Sequence, residues 1–378
     1  MVDSFRQSIS NNKGLFHPRD NKNNKSWFDW HWQIRNLIRT PEDLGVLIDL
    51  SQNEKQEIKK AAAVFPMAIT PYYASLIDWN DTACPIRLQC IPSMQELDFG
   101  FAEMDDPLNE EAFSPLPGLI HRYPDRVLLL VTLECSTYCR HCTRKRKVGD
   151  PTQAINIQGI DAGIKYIKDH HEIRDVLLSG GDPFFLGDRF LENIIRKIRE
   201  ISHVEVIRIG TRTPVVLPQR ITDTLVKILQ KYHPIWINTH FNHPREFTPE
   251  STQALAKLAN AGIPLGNQTV LLKGINDSPA VIKALLHLLV KNRVRPYYLY
   301  HCDYSRGIKH FRTSIAAGVE ILEKLIGYTS GFAIPTYVVD IPGGGGKVPI
   351  FPGYLQSITG SEVLLKNYEG VLYHLSEL

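Results

Sequence analysis

The sequence predicts an α/β protein: a partial (β/α)6 TIM-like barrel, preceded by an N-terminal helical layer and followed by a C-terminal extension. Three observations carry that reading. Apolar, β-branched runs recur at residues 127–133, 175–179, 204–209, 235–239, 264–272 and 295–300. Amphipathic segments separate them at 160–170, 191–201, 221–232, 248–261 and 279–291, with a last one at 314–328. After the first unit the runs begin about every 30 residues, the length of one strand–helix–strand repeat. Continuously apolar strands alternating with helices imply a parallel sheet covered by helices. A doubly wound sheet would show the same alternation. The barrel is favoured because almost every run ends in a small polar motif, and barrel enzymes carry their chemistry on the rim of strand C-termini.

Taken in order, residues 1–25 are polar and rich in Asn and Lys, which predicts a flexible tail without the apolar stretch of a secretion signal. Residues 26–120 form the expected helical region. Its aromatic cluster of Trp27, Phe28, Trp30 and Trp32 suits packing of that layer onto the body. Thr40-Pro41-Glu42-Asp43 opens a helix, with a hydroxyl cap, proline at the first position and acids in the first turn. Residues 53–63 continue in helical character. The barrel is expected over 121–330 and the extension over 331–378.

Composition narrows the function classes. Hydrophobic residues make up 43% of the 378 and charged residues 22%, as in an ordinary soluble globular protein. The net charge of +3 gives no footing for nucleic acid or an acidic membrane. No apolar run approaches the about 18 residues of a membrane span. Six cysteines, three of them tightly clustered, point to a reducing cytoplasm and to metal binding rather than disulfides.

The cluster is Cys135-Ser-Thr-Tyr-Cys139-Arg-His-Cys142, directly after the first apolar run. Thiols spaced CxxxCxxC can hold three irons of a [4Fe–4S] cluster and leave the fourth open for chemistry. A zinc site completed by His141 is the alternative, strained by the adjacency of His141 and Cys142. The second run ends in Ser179-Gly180-Gly181-Asp182, where paired glycines let backbone approach a ligand and the acid can receive an ammonium group. An ordinary turn would read the same way. Beside an open iron, however, this pair of motifs resembles the radical S-adenosylmethionine superfamily, whose cosubstrate binds that iron through its amino acid part.

Near the C-terminus stands Tyr337-Val-Val-Asp340-Ile-Pro-Gly-Gly-Gly-Gly-Lys347. Four consecutive glycines contribute no packing, and no Gly-Lys-Ser/Thr follows to make a phosphate loop. A lysine on a compliant glycine segment suits a Schiff base, hence pyridoxal 5′-phosphate. Arg122 and Arg126 are candidate partners for its phosphate. Asp303 and Asp340 end successive strands and face one rim, where two acids repel unless a cation joins them. That cation is a neighbouring arginine such as Arg306, or a bound substrate.

With Met67-Ala-Ile-Thr-Pro-Tyr-Tyr73, residues 117–126, residues 208–218 and Pro342-Gly-Gly-Gly-Gly-Lys347 added, the chain resembles the lysine 2,3-aminomutase family from about Trp27 onward. The resemblance implies that Cys135, Cys139 and Cys142 ligate the cluster and that Lys347 holds pyridoxal phosphate, with Arg122 and Arg126 on its phosphate. Ser179, Gly180, Gly181, Asp182 and Gln268 would bind S-adenosylmethionine, and Tyr300 would line the pyridoxal pocket. Arg144 would receive the substrate carboxylate, and Asp303 with Asp340 the distal ammonium. The implied reaction moves the 2-amino group of L-lysine to carbon 3, using a 5′-deoxyadenosyl radical and a pyridoxal aldimine, with electrons from a flavodoxin- or ferredoxin-type donor. A homo-oligomer is expected. Zinc is not, because no cysteine follows Cys302 and Ser278 stands where one would be expected. The competing readings are the same reaction on arginine or glutamate, and a cluster-binding regulatory or electron-transfer protein without catalysis.

Overall fold

The computed structural model describes residues 25–376. Apart from Lys25, the tail expected over 1–25 lies outside the described residues. Nine strands form one sheet in sequence order: β1 (Leu119–Tyr123), β2 (Arg126–Thr132), β3 (Asp175–Gly180), β4 (Val206–Gly210), β5 (Ile235–Thr239), β6 (Leu265–Leu271), β7 (Val294–His301), β8 (Thr336–Ile341) and β9 (Gly346–Pro349). Strands β2 through β8 run parallel, while β1 and β9 cap the two ends in antiparallel pairing. Strand order never reverses, so there is no switch point as in a doubly wound sheet. The result is an open barrel, with the six expected strands extended by a seventh, β8, and two antiparallel edges.

Parallel neighbours need crossovers, and α-helices supply most of them. The N-terminal layer contains α1 (Gln52–Val64); the crossovers use α2 (Ile157–Asp169), α3 (Asp188–Arg199), α4 (Asp223–Lys231), α5 (Pro249–Asn260), α6 (Pro279–Lys291) and α7 (Ile315–Glu323). In α3 the buried residues Leu191, Ile194, Ile195 and Ile198 follow the i, i+3, i+4, i+7 spacing of one helix face. Side-chain caps start most of these helices: Asn156, Thr222, Thr248, Ser278 and Ser314. Ser278 therefore has a local task, accepting from the Val281 N–H at 3.3 Å. Helix α7 stops five residues short of the expected end, and Gly327 follows at φ +84°.

Two features escaped the periodicity. Strand β1 turns into β2 through Pro124-Asp125, so Tyr123 pairs with Arg126 and the two arginines sit on adjoining strands. After β9, strands β10 (Leu355–Thr359), β11 (Glu362–Lys366) and β12 (Leu372–Ser376) make a separate antiparallel sheet. In the N-terminal layer Trp27 is buried 6.0 Å from Trp32, and Trp30 lies under the Arg220 guanidinium at 4.5 Å, while Phe28 is exposed. No helix among the described residues is long and apolar enough to cross a membrane.

The layer grips the cysteine loop ionically. The Glu96 carboxylate accepts from Arg140 Nε at 3.0 Å and Lys145 Nζ at 2.8 Å, with side-chain exposures of 1–6% across the three. Arg140 also donates to the carbonyls of Phe65 and Pro66. Burial pushes the Glu96 carboxyl up, but the two cations outweigh it and hold it below the usual range. Burial pulls the Lys145 ammonium down to about 8. Removing one partner of such a pair leaves uncompensated buried charge. Glu96→Gln is therefore expected to cost about 3–5 kcal/mol, read as a lower denaturant midpoint; an unchanged midpoint would show that the contact adds nothing.

Candidate active site

A cavity of about 650 Å³ opens on the C-terminal rim of the parallel strands. Its lining includes Cys135, Cys139, Cys142, Ser179, Gly180, Gly181, Asp182, Arg122, Arg126, Arg144, Gln268, Tyr300, Asp303, Asp340 and Lys347. All fifteen residues singled out in the sequence thus face one space. Most come together because parallel strands deliver their C-termini to the same rim, while Arg122 and Arg126 line the space from the β1–β2 turn at the opposite strand ends and Lys347 from the antiparallel β9.

At one end are the three thiols, each partly buried. Burial pushes the Cys135 thiol up, and it raises Cys142 to about 11. Among the described residues no three His, Cys, Asp or Glu side chains converge on a single metal ion. Three thiols at CxxxCxxC spacing that line one cavity are a donor set that fits three irons of a four-iron cluster. His141 meets Asn242 through Nε2 at 3.2 Å, and burial holds its pKa well below the ordinary value.

The glycine pair behaves differently from expectation. Gly180 has φ +120°, and a Cβ there would stand 2.1 Å from the Thr132 carbonyl oxygen; one on Gly181 would meet the Glu134 oxygen at 2.3 Å. The backbone of β3 leans instead onto the cysteine loop, with Gly181 N–H donating to Thr132 O at 2.7 Å and Asp182 N–H to Glu134 O at 2.8 Å. The glycines are thus required by contact between two chain segments, before any ligand is considered. The Asp182 carboxylate is likewise engaged: it accepts from Phe184 N–H, from the Thr211 hydroxyl at 2.7 Å and from Arg212 N–H at 2.8 Å. It ties β3 to β4 and has little left for an ammonium group.

At the other end β8 and β9 form a hairpin whose register sets Asp340 against Lys347. The glycine run is its turn, with Gly343, Gly344 and Gly346 at positive φ. Lys347 accordingly sits in a strand rather than on a loose segment. Its Nζ is 3.0 Å from both Asp340 oxygens and 5.2 Å over the Tyr300 ring, and Gln268 donates to the Tyr300 hydroxyl at 3.1 Å. Burial first, and the Asp340 charge second, push the Asp303 carboxyl up to about 7. Arg306 is not the partner of these acids; it lies 3.7 Å from Asp105.

The arginines divide. Arg122 has a buried Nε with no hydrogen-bond partner among the described residues, a donor that fits an anionic group such as phosphate. Arg126 pairs with Asp125 at 3.1 Å and stacks on Tyr123. Arg144 is held by Glu110 through Nε at 3.1 Å and through Nη2. Sequence reading assigned no role to Glu110 or to Arg212, although Arg212 belongs to the motif that ends β4.

Because the Asp303 proton is held to about 7 in the fold and is lost near 3.8 otherwise, the native state binds the extra proton between those values. Its contribution to stability falls as pH rises through that window and is flat above it. The stability of wild type relative to Asp303→Asn should therefore decline from pH 5 to 7, by at most about 4 kcal/mol over the whole window. Urea titrations of the cofactor-free proteins test this; parallel curves would refute it.

Residues 129–285 match the radical SAM superfamily, and residues 322–377 match the family described as lysine-2,3-aminomutase. A protein named L-lysine 2,3-aminomutase from Fusobacterium nucleatum is 55% identical over 367 residues, 97% of this chain and 86% of that protein. Another of that name from Clostridium subterminale is 56% identical, covering 93% and 84%. A glutamate 2,3-aminomutase from Clostridioides difficile is 47% identical, covering 94% and 84%.

Proposed function

The chain belongs to the lysine 2,3-aminomutase family, and from that premise we propose that its cavity moves the 2-amino group of L-lysine to carbon 3, giving β-lysine. The observation that carries the choice of substrate is Asp340, which already holds a lysine ammonium, that of Lys347, through both oxygens. A lysine substrate presents the same group. When Lys347 carries a cofactor its ammonium no longer occupies Asp340, and that carboxylate with Asp303 is left to a substrate cation.

The [4Fe–4S] cluster, S-adenosylmethionine and pyridoxal phosphate supply, when bound, the hydrogen-abstracting radical and the electron sink. The protein's share is position and exclusion of water. Cys135, Cys139 and Cys142 hold the cluster. Ser179, Gly180 and Gly181 offer a backbone edge to the cosubstrate beside Gln268, and Asp182 keeps that edge in shape. Lys347 binds pyridoxal covalently, Arg122 and Arg126 take its phosphate, and Tyr300 lines its pocket. Arg144, braced by Glu110, receives the substrate carboxylate. A low-potential flavodoxin- or ferredoxin-type protein supplies the electron, in the cytoplasm, to a homo-oligomer.

Arginine also suits two acids. A glutamate side chain would meet them as a like charge. Anaerobic incubation of the reconstituted protein with each amino acid, scored for β-amino acid by mass spectrometry, should give β-lysine in excess; β-arginine or β-glutamate in excess would replace this reading. Asp303→Asn or Asp340→Asn should lower lysine turnover at least about 30-fold, the cost of unpairing a buried charge, with less effect on cosubstrate cleavage. Lys347→Ala should lose the visible absorbance of covalently held pyridoxal phosphate. A wild type without that band would end the proposal and favour a non-catalytic cluster protein.

A further inference from the structure

Arg212 follows the end of β4 and is 8% exposed. Its donors are spent in three directions. Nη2 bonds Glu246 at 2.7 Å, Gln89 at 2.6 Å and the Tyr73 hydroxyl at 3.0 Å, while Nε bonds the His240 carbonyl at 3.2 Å. Nη1 reaches the Cys139 sulfur at 2.8 Å. Glu246 is anchored in turn by the Asn242 and His243 N–H groups and by the Tyr73 hydroxyl. The Arg212 backbone N–H is held by Asp182. The guanidinium is therefore immobilised from several sides, and one arm is aimed at a thiol.

Glu246 and Gln89 would satisfy a buried arginine as a purely structural strut. The arm on sulfur is extra, and it is selective: among the described residues, Cys139 alone of the three thiols has a side-chain donor on its sulfur. A hydrogen bond to a cluster thiolate draws negative charge away from the irons. That favours the reduced state, whose added electron makes the thiolates more basic.

We propose that Arg212 is a positioning residue for the iron–sulfur centre, whose Nη1–H bond to Cys139 orients that ligand and raises the cluster's affinity for the electron that starts the reaction. This rests on the cluster reading of Cys135, Cys139 and Cys142. The electron comes from the low-potential one-electron donor already invoked, and no bond of the protein is made or broken.

The test is a mediated redox titration of the anaerobically reconstituted protein, without cosubstrate or amino acid, following the reduced cluster by electron paramagnetic resonance. The double variant Arg212→Met/Glu246→Gln removes the N–H···S bond without stranding a buried carboxylate. At the poise that half-reduces wild type, its ratio of reduced to oxidised cluster should fall about tenfold, equivalent to about 59 mV for one electron. Arg212→Lys should recover part of that shift. A double variant with wild-type iron content and unchanged potential would overturn the proposal, as would Arg212 variants that lose iron altogether while remaining folded. With 15N-arginine labelling, pulsed resonance should detect a 15N coupling to the reduced cluster in wild type that identically labelled Arg212→Lys lacks, because Arg140 and Arg144 beside the ligands contribute equally to both; identical couplings would overturn the contact. If wild type takes up no iron the cluster reading itself fails; a wild-type signal with no shift and no difference in coupling removes only the role of Arg212.

Discussion

Glu96 accepts hydrogen bonds from Arg140 and Lys145, cations on either side of Cys142 in sequence, in a space almost closed to water. The segment that carries the thiols has no strand or helix of its own, so such anchors decide where the sulfurs stand. The helical layer holds one side, through Glu96 and through backbone bonds from Tyr138 to Ala68 and from Arg140 to Gln89. The turn after β3 holds the other, through the Asp182 N–H on the Glu134 carbonyl next to Cys135. Charge buried in this way is expensive to leave unpaired, which disfavours arrangements of the loop that separate Glu96 from Arg140 and Lys145.

The same economy runs through the rest of the rim. Arg212 is satisfied by Glu246, Arg144 by Glu110 and Lys347 by Asp340. The Arg212–Glu246 and Arg144–Glu110 pairs fix donors and acceptors before any ligand arrives, which is what preorganisation requires. The two ends of the cavity differ in kind. The thiol end is built from hydrogen-bonded backbone and interlocked side chains. The end at Asp303, Asp340 and Lys347 carries two carboxylates beside one ammonium, which sits on Asp340.

Much of this was legible beforehand because it is local. Apolar runs and amphipathic segments placed six of the parallel strands to within two residues at either end, since side-chain burial follows the backbone period. The thiol spacing, the glycine pair and the lysine after four glycines marked residues that all line the cavity. What those motifs touch was less legible. Gly180 and Gly181 have the same glycine signature whether they face a ligand or the Thr132 and Glu134 carbonyls. Asp182 reads as a free acid until β4 brings up Thr211 and Arg212. The run before Lys347 reads as a loose segment until β9 pairs with β8.

The sequence by itself determined the order of strands and helices and the delivery of most of the singled-out residues to one rim, because these follow from backbone periodicity and from the geometry of parallel strands. Only the tertiary structure decided which partner each charge takes. Glu96 with Arg140, Glu110 with Arg144 and Arg212 with Cys139 are 44, 34 and 73 residues apart. Hydrogen bonds act over a few ångströms of space and leave no period in the chain, so their pairing exists only once the layers have closed on one another.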